Sequence, residues 1–592
     1  MRLASLRRTA AARLSALLLP LAMPTSSLLA QRAPRAGRAM ARAAARPATT
    51  PFTVTEAGIP ALQAALTSGQ VTSVQLVQQY LTRIALYEDR LNAIITVNPA
   101  VLADAAAMDD ERRAGRLRGP LHGIPVALKD NILTKGLRTT GGALAFSDLV
   151  PSYDATLVAN LRKAGAIIIA KTQLTELANW MATGMPGNYT GVHGYSMNPW
   201  DPRRDPRDGF DDGRPVLGTG GSSSGVGTNV SFWAGNVGTE TSGSVLSPSQ
   251  QNFLVGIKPT IGRISRYGVI PITADQDTPG PMTRSVTDAA IMLGALEGTQ
   301  PDPNDAATTA CTPPTGGDYT PFLRADGLAG KRIGIPRAFF YDRVASGSST
   351  TPRGGLPDVQ QAAMRDVIAV LKAQGAVIVD PADIPSVLAP KAGDNFLDWN
   401  MCSGLDQMKG RDAECSIAFK YGMKRDFNTF LKTLGAQAPV KSLTELRLWN
   451  IAHQRGGAMK YGQALLDGAD EMDVVADRAR YEADRRKDIL LSATQGIDAV
   501  MASQKLDALL FPGVSSANIA ARTGYPSVTV PWALLPVVNP PSAPAFPAGF
   551  TPAPAPFNVT FTAGKCAEPT LITLAYAFEQ ATKKRVAPPQ FP

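Results

Sequence analysis

Histidine and cysteine are scarce in this chain, which has three histidines and four cysteines among 592 residues. A Ser-His-Asp site needs histidine as its base, and none of His122, His193 and His453 fits the required order of serine, acid and late histidine. The cysteines form neither a Cys-x-x-Cys pair nor a Cys/His cluster, so no metal site is predicted. We therefore expect no metal, no cofactor and no histidine-based nucleophile.

Four cysteines are too few for a disulfide framework, but their even number permits disulfides in an exported chain. Cys402 and Cys415 are close in sequence and form the simplest pair, while Cys311 and Cys566 lie far apart. Four buried free thiols are equally compatible with the sequence, so the redox state stays open.

Acidic residues are absent from residues 1–50, which contain nine arginines. Removing these nine charges from the net charge of +10 leaves about +1 for the rest of the chain. The basic character thus belongs to the leader, and we expect no nucleic-acid partner.

The leader also lacks an apolar run long enough for a comfortable membrane span, because Pro20 interrupts the segment 14–23. Arginines, a short apolar centre and small residues ending at Ala30 are typical of a secretory signal. We predict a signal peptide at 1–30, a linker at 31–50 and export to the periplasm or outside, with no stable membrane span after processing. A membrane-retained or misread start is the alternative.

Beyond residue 50, short apolar runs alternate with helical patterns, which predicts a single α/β domain over residues 51–592 with its sheet covered on both faces. The predicted strands are 124–128, 166–170, 255–260, 269–272, 331–336, 376–379, 507–512 and 527–531. The predicted helices are two within 54–90, then 154–164, 356–374 and 571–581, with a mostly helical segment at 395–500. The Pro/Ala-rich stretch 535–557 is predicted to be a surface loop.

Two small-residue runs, 218–225 and 238–244, place serines on tight backbone, and Lys129 follows an apolar run upstream. Burial favours the neutral form of a lysine, which can then accept a serine proton. A surface lysine and a flexible linker are the alternative interpretations. A phosphate-binding loop is not supported, because the Gly-x-x-x-x-Gly-Lys pattern is missing.

Several segments together resemble the amidase signature family over nearly the whole chain after residue 51. They are Arg118–Asn131, Lys171–Glu176, Gly220–Gly225, Gly238–Ser244, Gly256–Arg263 and Asp277–Arg284. The resemblance implies an α/β fold with a mixed, twisted central sheet surrounded by helices. It also implies an amidase, an enzyme that hydrolyses carboxamides through an acylated serine.

Carried over position by position, the resemblance makes Lys129 the base, Ser222 the bridging serine, usually in a cis peptide, and Ser244 the acylated serine. The oxyanion donors are then the backbone amides of residues 241–244, that is Thr241, Ser242, Gly243 and Ser244. The two serines are closer in sequence than is usual in the family. Ser223 is therefore an alternative to Ser222.

The second small-residue run, with Gln276 and Asp277 downstream, looks most like the peptide-amidase-like branch, and this resemblance implies a small-molecule or peptide amide as substrate. Trp180, Gln276 and Asp277 are candidate pocket residues, although each can equally be packed in the core. The glutaminase subunit of a tRNA-dependent amidotransferase and an inactive exported binding protein are the rival functions. Monomer and homodimer both stay open.

Overall fold

The computed structural model describes residues 52–210, 212–403, 414–539 and 543–592. The predicted signal peptide and linker lie outside these residues. Residues 52–592 form one compact unit.

The core of this unit is an eleven-stranded mixed sheet with the strand order β1-β3-β2-β4-β6-β5-β10-β11-β9-β7-β8. The strands are β1 Ile94–Val97, β2 Pro125–Lys129, β3 Ile167–Thr172, β4 Gly235–Glu240, β5 Val255–Lys258, β6 Thr278–Thr283, β7 Arg332–Gly334, β8 Val377–Val379, β9 Ala508–Pro512, β10 Ser527–Leu535 and β11 Ala555–Thr562. Strand β2 pairs in parallel with β3 and β4, whereas β6 lies antiparallel to β4 and β5.

Sixteen α-helices of the described residues surround this sheet. They are α1 Ile59–Thr67, α2 Ser73–Leu91, α3 Val101–Arg113, α4 Thr156–Lys163, α5 Gly225–Asn229, α6 Leu246–Gln251, α7 Val286–Glu297, α8 Asp358–Ala373, α9 Pro385–Leu388, α10 Ala418–Thr433, α11 Leu443–Ala452, α12 Ala464–Asp470, α13 Arg478–Ile489, α14 Asp498–Gln504, α15 Ala517–Thr523 and α16 Glu568–Thr582. A π-helical stretch, Leu490–Ile497, joins α13 to α14. Three two-stranded pairs lie outside the main sheet, at Tyr189–Thr190 with Gly194–Tyr195, Arg343–Ser346 with Ser349–Gly354, and Asn400–Met401 with Cys415–Ser416.

Strands β2 and β3 are the apolar runs that the sequence analysis predicted, and every residue in both is buried. Continuous burial is expected for parallel strands whose two faces are both covered by helices. Because β2 and β4 are parallel neighbours, their carboxyl ends meet at one edge of the sheet. Lys129 and Glu240 end these two strands, so the fold itself brings the lysine motif to the second small-residue run.

The two N-terminal helices were also predicted, and Thr72 caps the second one. The Thr72 side chain accepts the Gln75 amide, while the Gln75 side chain accepts the Thr72 amide. This reciprocal capping box satisfies two of the amides that a helix start leaves without partners.

The strand predicted at 269–272 is wrong, because only Val269 forms an isolated bridge, to Ile132. Pro271 has no N–H for a ladder. The amides of Ile272 and Thr273 donate instead to the Asp277 carboxylate, at 2.9 and 3.0 Å. A side-chain acceptor therefore replaces the neighbouring strand at this position.

The Pro/Ala-rich stretch has no helix or strand at residues 536–539 and 543–554, but its two ends belong to the sheet. Strand β10 runs to Leu535 and β11 begins at Ala555, so the predicted loop 535–557 is too long by a residue or more at each end. Periodicity alone does not reveal where an antiparallel pair stops and its connection begins.

Both cysteine pairs are bonded, Cys311 with Cys566 and Cys402 with Cys415. The alternative of four free thiols is therefore wrong for this structure. No helix within the described ranges is long and apolar enough to cross a membrane. The same residues contain no cluster of three His, Cys, Asp or Glu side chains suited to a metal ion.

Candidate active site

Lys129 lies at the carboxyl end of β2 with its side chain fully buried. Its Nζ donates a hydrogen bond to the carbonyl oxygen of Thr239 on β4, at 3.0 Å. Burial lowers the pKa of Lys129 to about 7, and the negative charges of Asp277 and Glu240 partly oppose this effect. A substantial fraction of Lys129 is consequently neutral near neutral pH and able to accept a proton.

Ser222 lies in the loop before α5 and is also buried. Its Oγ donates to the same Thr239 carbonyl oxygen, at 3.2 Å. The neighbouring Ser223 hydroxyl instead contacts Thr219 and Gly220, at 2.9 and 3.4 Å. Of the two serines that the sequence left open, Ser222 is thus the one that shares a partner with Lys129. The bond before Ser222 is trans, not the cis bond that the family resemblance implied.

Ser244 is partly exposed, in contrast to the buried Lys129 and Ser222. It lies directly against Gly221, since a Cβ atom on that glycine would come within 2.4 Å of the Ser244 Oγ. Ser244 lines a cleft of about 430 Å³ together with Gly221, Ser242 and Gly243. A serine that faces a cleft beside a buried serine and a buried lysine is an arrangement suited to acyl transfer.

The backbone before Ser244 presents unused donors to this cleft. The amides of Ser242, Gly243 and Ser244 have no acceptor within the described part of the chain. Gly243 adopts a φ of 98°, a left-handed conformation that favours glycine. Successive amides around such a residue can converge on one anionic oxygen, which is the requirement for an oxyanion hole.

Glu240 holds the other side of this turn and is a residue that the sequence analysis did not single out. Its buried carboxylate accepts the amides of Val245 and Leu246, at 2.7 and 2.9 Å. These are the two residues directly after Ser244, so Glu240 fixes the backbone that carries Ser244. The only sequence signal was the position of an acid within a run of small residues.

A protein-family model named Amidase matches residues 75–572, which is most of the chain. The chain belongs to the amidase family. As an amidase it hydrolyses carboxamide C–N bonds, giving a carboxylate and ammonia or an amine.

The similarity to known proteins extends over most of this amidase and most of each relative. A probable amidase of Arabidopsis thaliana is 32% identical over 548 residues, 91% of this chain and 92% of the relative. The crystal structure of a peptide amidase from Stenotrophomonas maltophilia shares 34% identity and a TM-score of 0.73, over 90% of this chain and 98% of that one. A glutamyl-tRNA(Gln) amidotransferase subunit from Geobacter sp. is 30% identical over 532 residues, 88% of this chain and 96% of the relative.

The remaining predicted site residues of the amidase lie outside the Ser244 cleft. Trp180 is buried, and its ring packs edge-on against Phe419 with 5.0 Å between the ring centroids. Gln276 is buried, and its Nε2 donates to the carbonyl of Thr241, at the start of the turn 241–244, at 3.1 Å. The cleft lining includes neither of these side chains.

Asp277 belongs to the buried network beneath the amidase site. Its carboxylate accepts the Thr241 hydroxyl and lies near enough to Lys129 to raise the pKa of that lysine. Burial raises the pKa of Asp277 itself to about 7, because the charged form loses its hydration. Asp277 also lines a separate cavity of about 210 Å³. From its position against Thr241, the negative charge of Asp277 raises the pKa of Lys129.

A buried ion pair, Lys171 with Asp130, secures the strand ends beside Lys129. The Lys171 Nζ is 3.3 Å from the Asp130 carboxylate and donates to Ile132 and Thr139, at 2.7 Å in both cases. Asp130 also accepts the Thr140 amide at 2.8 Å. With each ionic group paired and hydrogen-bonded, the loop after β2 is held in one arrangement.

Proposed function

We propose that this amidase works through an acyl-enzyme on Ser244, with Ser222 and Lys129 as its proton relay. The observation that carries the proposal is the common hydrogen-bond acceptor of Lys129 and Ser222, the Thr239 carbonyl. Ser244 lies across from Gly221, the residue next to Ser222. Three groups able to transfer a proton therefore meet at one edge of the sheet, and only the nucleophile faces the cleft.

In the acylation step, the Ser244 Oγ attacks the amide carbonyl carbon as its proton passes to Ser222. The Ser222 proton passes at the same time to neutral Lys129. The tetrahedral intermediate then collapses with cleavage of the C–N bond. Lys129 returns its proton through Ser222 to the departing nitrogen, which leaves as ammonia or an amine.

In the second step, water replaces the nitrogen leaving group. Its oxygen attacks the Ser244 ester while its proton passes through Ser222 to Lys129. Collapse of the second intermediate releases the carboxylic acid and returns the proton to Ser244. The amides of Ser242, Gly243 and Ser244 support the oxyanion in both steps, because they line the cleft and have no other acceptor among the described residues.

The proposed substrates are primary or simple amides of peptides and small acids, with ammonia or a small amine as the leaving group. The similarity to a peptide amidase structure supports this choice. The relative from the amidotransferase group supports glutamine as the competing substrate. Ammonia release from peptide amides, small amides and glutamine, measured side by side, distinguishes these functions.

The test of the relay compares Ser244→Ala, Lys129→Ala and Ser222→Ala with the parent enzyme on one amide. We expect the first two variants to lose all turnover and the third to retain a trace, because water can bridge the position of Ser222 inefficiently. Normal rates for Ser244→Ala would rule out the acyl-enzyme. A serine-directed phosphonate is expected to label the parent but not Ser244→Ala.

We also propose that the enzyme is exported through its leader. The two disulfides support this, since such bonds persist in the periplasm and outside the cell but are rare in the cytosol. Cell fractionation of the full chain, with sequencing of the mature N-terminus, tests the proposal. A cytosolic protein that retains residues 1–30 would contradict it.

A further inference from the structure

The wall of the Ser244 cleft contains a motif that the proposed chemistry does not use. An Asp-x-Arg sequence occurs three times between residues 201 and 214, and in each copy the arginine forms an ion pair with the aspartate two residues earlier. The pairs are Asp201–Arg203, Asp205–Arg207 and Asp212–Arg214. In every copy the Nε and Nη2 groups contact the carboxylate, which leaves Nη1 for another acceptor.

The arginines of the second and third copies line the cleft, whereas that of the first does not. Arg207 and Arg214 line the Ser244 cleft. Arg203 lines a different cavity, of about 770 Å³, which Asp212 of the third copy also lines. The three units therefore have similar local geometry but different positions relative to the nucleophile.

The Nη1 group of Arg207 already has a hydrogen-bond acceptor. Its Nη1 donates to Asn539 at 2.7 Å, and its guanidinium stacks between the rings of Phe210 and Phe546, at 4.7 and 4.5 Å. The segment that carries Asn539 and Phe546 is the Pro-rich connection after β10. This connection thus holds Arg207 in place, and its contacts occupy the Arg207 guanidinium.

The Nη1 group of Arg214, in contrast, is available to a ligand. The N–H groups of its Nη1 have no acceptor among the described residues, although the side chain is three-quarters buried, with an exposure of 23%. The guanidinium is held in place by the Phe210 ring at 4.5 Å and by Asp212. Asp212 is in turn fixed by the Tyr461 hydroxyl and by Lys460, whose Nζ donates to the Asp212 carbonyl at 3.0 Å.

We infer that Arg214 is a specificity-determining residue that binds a carboxylate on the acyl part of the substrate. A rigid guanidinium with two free N–H groups in a partly desolvated cleft matches a carboxylate better than a neutral side chain. The inference rests on the proposed function, because it assigns the Ser244 cleft to the acyl group. The favoured substrates are amides of acidic peptides rather than of neutral or basic ones.

The experiment measures ammonia release from acetylated tripeptide amides that differ only by Glu or Gln. The variable residue is placed either at the amidated position or at the position before it. Glu and Gln have nearly the same shape, so their ratio of kcat/KM reports the charge. We expect the parent enzyme to prefer Glu about tenfold at one of the two positions. A tenfold preference is at the lower end of the range for charge-assisted hydrogen bonds, as expected in a partly solvated site.

Three variants separate Arg214 from its surroundings. Arg214→Gln is expected to bring the Glu-to-Gln ratio to about one, and Arg214→Lys to retain part of the preference through its charge. The matched control, Arg203→Gln, removes the equivalent arginine from the other cavity and is expected to keep the full ratio. Raising the salt concentration from 0.05 to 0.5 M should reduce the parent ratio, as screening requires.

The outcomes distinguish this inference from the proposed function. Ammonia release with a Glu-to-Gln ratio of one or less at both positions would overturn the carboxylate site but leave the relay and the amide substrates intact. Loss of the preference in Arg203→Gln as well would also overturn it, because the effect would then not belong to Arg214. Ammonia from small amides but from no peptide amide would overturn the carboxylate site alone, whereas no ammonia from peptide amides, small amides or glutamine would overturn both proposals.

Discussion

Lys129 and Ser222 donate to one and the same oxygen, the Thr239 carbonyl, at 3.0 and 3.2 Å. This carbonyl lies near the carboxyl end of β4, and Lys129 ends the parallel neighbour β2. A backbone group of the sheet, which no single side-chain substitution removes, therefore sets the distance between the two groups. Because both side chains are buried, proton transfer between them is protected from bulk water.

The rate should depend on pH through Lys129. Burial lowers the pKa of this lysine to about 7, and only the neutral form accepts a proton. We therefore expect kcat/KM for a neutral amide to fall as the pH drops below about 7 and to reach a plateau above pH 8. The measurement is a profile from pH 5 to 9. A flat profile over that range would argue against a lysine base.

The charge of Glu240 should shift the midpoint of this pH–rate profile, although Glu240 does not line the Ser244 cleft. Its negative charge raises the pKa of Lys129, and its carboxylate accepts the Val245 and Leu246 amides. Glu240→Gln keeps an oxygen as acceptor but removes the charge, so the pKa of Lys129 should decrease. The acid side of the pH–rate profile is then expected to move to lower pH.

The control for this prediction is a partly buried carboxylate that accepts an amide at the start of another helix, α7. Glu579 accepts the Val286 amide at 2.8 Å and is not among the charges that act on Lys129. Glu579→Gln should leave the midpoint of the profile where it is in the parent. If both variants shift it equally, or if Glu240→Gln shifts it upward, the electrostatic role of Glu240 is wrong.

Much of this arrangement could be predicted from the sequence, because the signals for it lie within short, continuous segments. The buried strands β2 and β3 are apolar up to the lysine near the end of each, and the residues around Lys129, Ser222 and Ser244 carry the family motifs within short segments. Such signals depend on neighbouring residues only. The lysine and both small-residue runs could therefore be assigned before the fold was known.

The surroundings of the site could not be predicted, because they depend on contacts distant in sequence. Asp277 was a candidate pocket residue with core packing as the alternative, and the structure places it outside the Ser244 cleft, where it accepts the Thr241 hydroxyl. The Arg207 contact with Asn539 joins residues 332 positions apart. The spacing of the three Asp-x-Arg units was visible in the sequence, whereas the orientation of each arginine depends on the aromatic residues that pack on it.

The two disulfides should differ in their contributions to stability. Cys311 and Cys566 are 255 residues apart, and Cys402 and Cys415 only 13. In the chain-entropy view, the long loop contributes about 5 kcal/mol to the free energy of unfolding and the short loop about 3 kcal/mol. Replacing Cys311 and Cys566 by serine should thus lower the thermal midpoint more than replacing Cys402 and Cys415. An equal or reversed order would contradict the prediction.

Gly221 should be required for catalysis rather than for folding. A Cβ at this position would lie 2.4 Å from the Ser244 Oγ and 3.1 Å from its Cβ, and the glycine does not have a positive φ. Gly221→Ala therefore displaces the nucleophile without straining the backbone. A shift of this kind is expected to lower kcat/KM by about a hundredfold or more.

The matched control for Gly221→Ala is Gly327→Ala. Its Cβ would come equally close, 2.4 Å, to the Thr573 side chain and also 2.9 Å from two backbone oxygens, outside the Ser244 cleft. Gly327→Ala should lower the thermal midpoint, because backbone atoms must shift, while kcat/KM stays near that of the parent. Gly221→Ala should instead lower kcat/KM and leave the thermal midpoint near that of the parent, since the atoms closest to the new Cβ belong to the Ser244 side chain and not to the backbone. Parent-like activity in Gly221→Ala would mean that Ser244 can react from another position, and the close packing of the nucleophile against the Ser222 loop would then have no catalytic role.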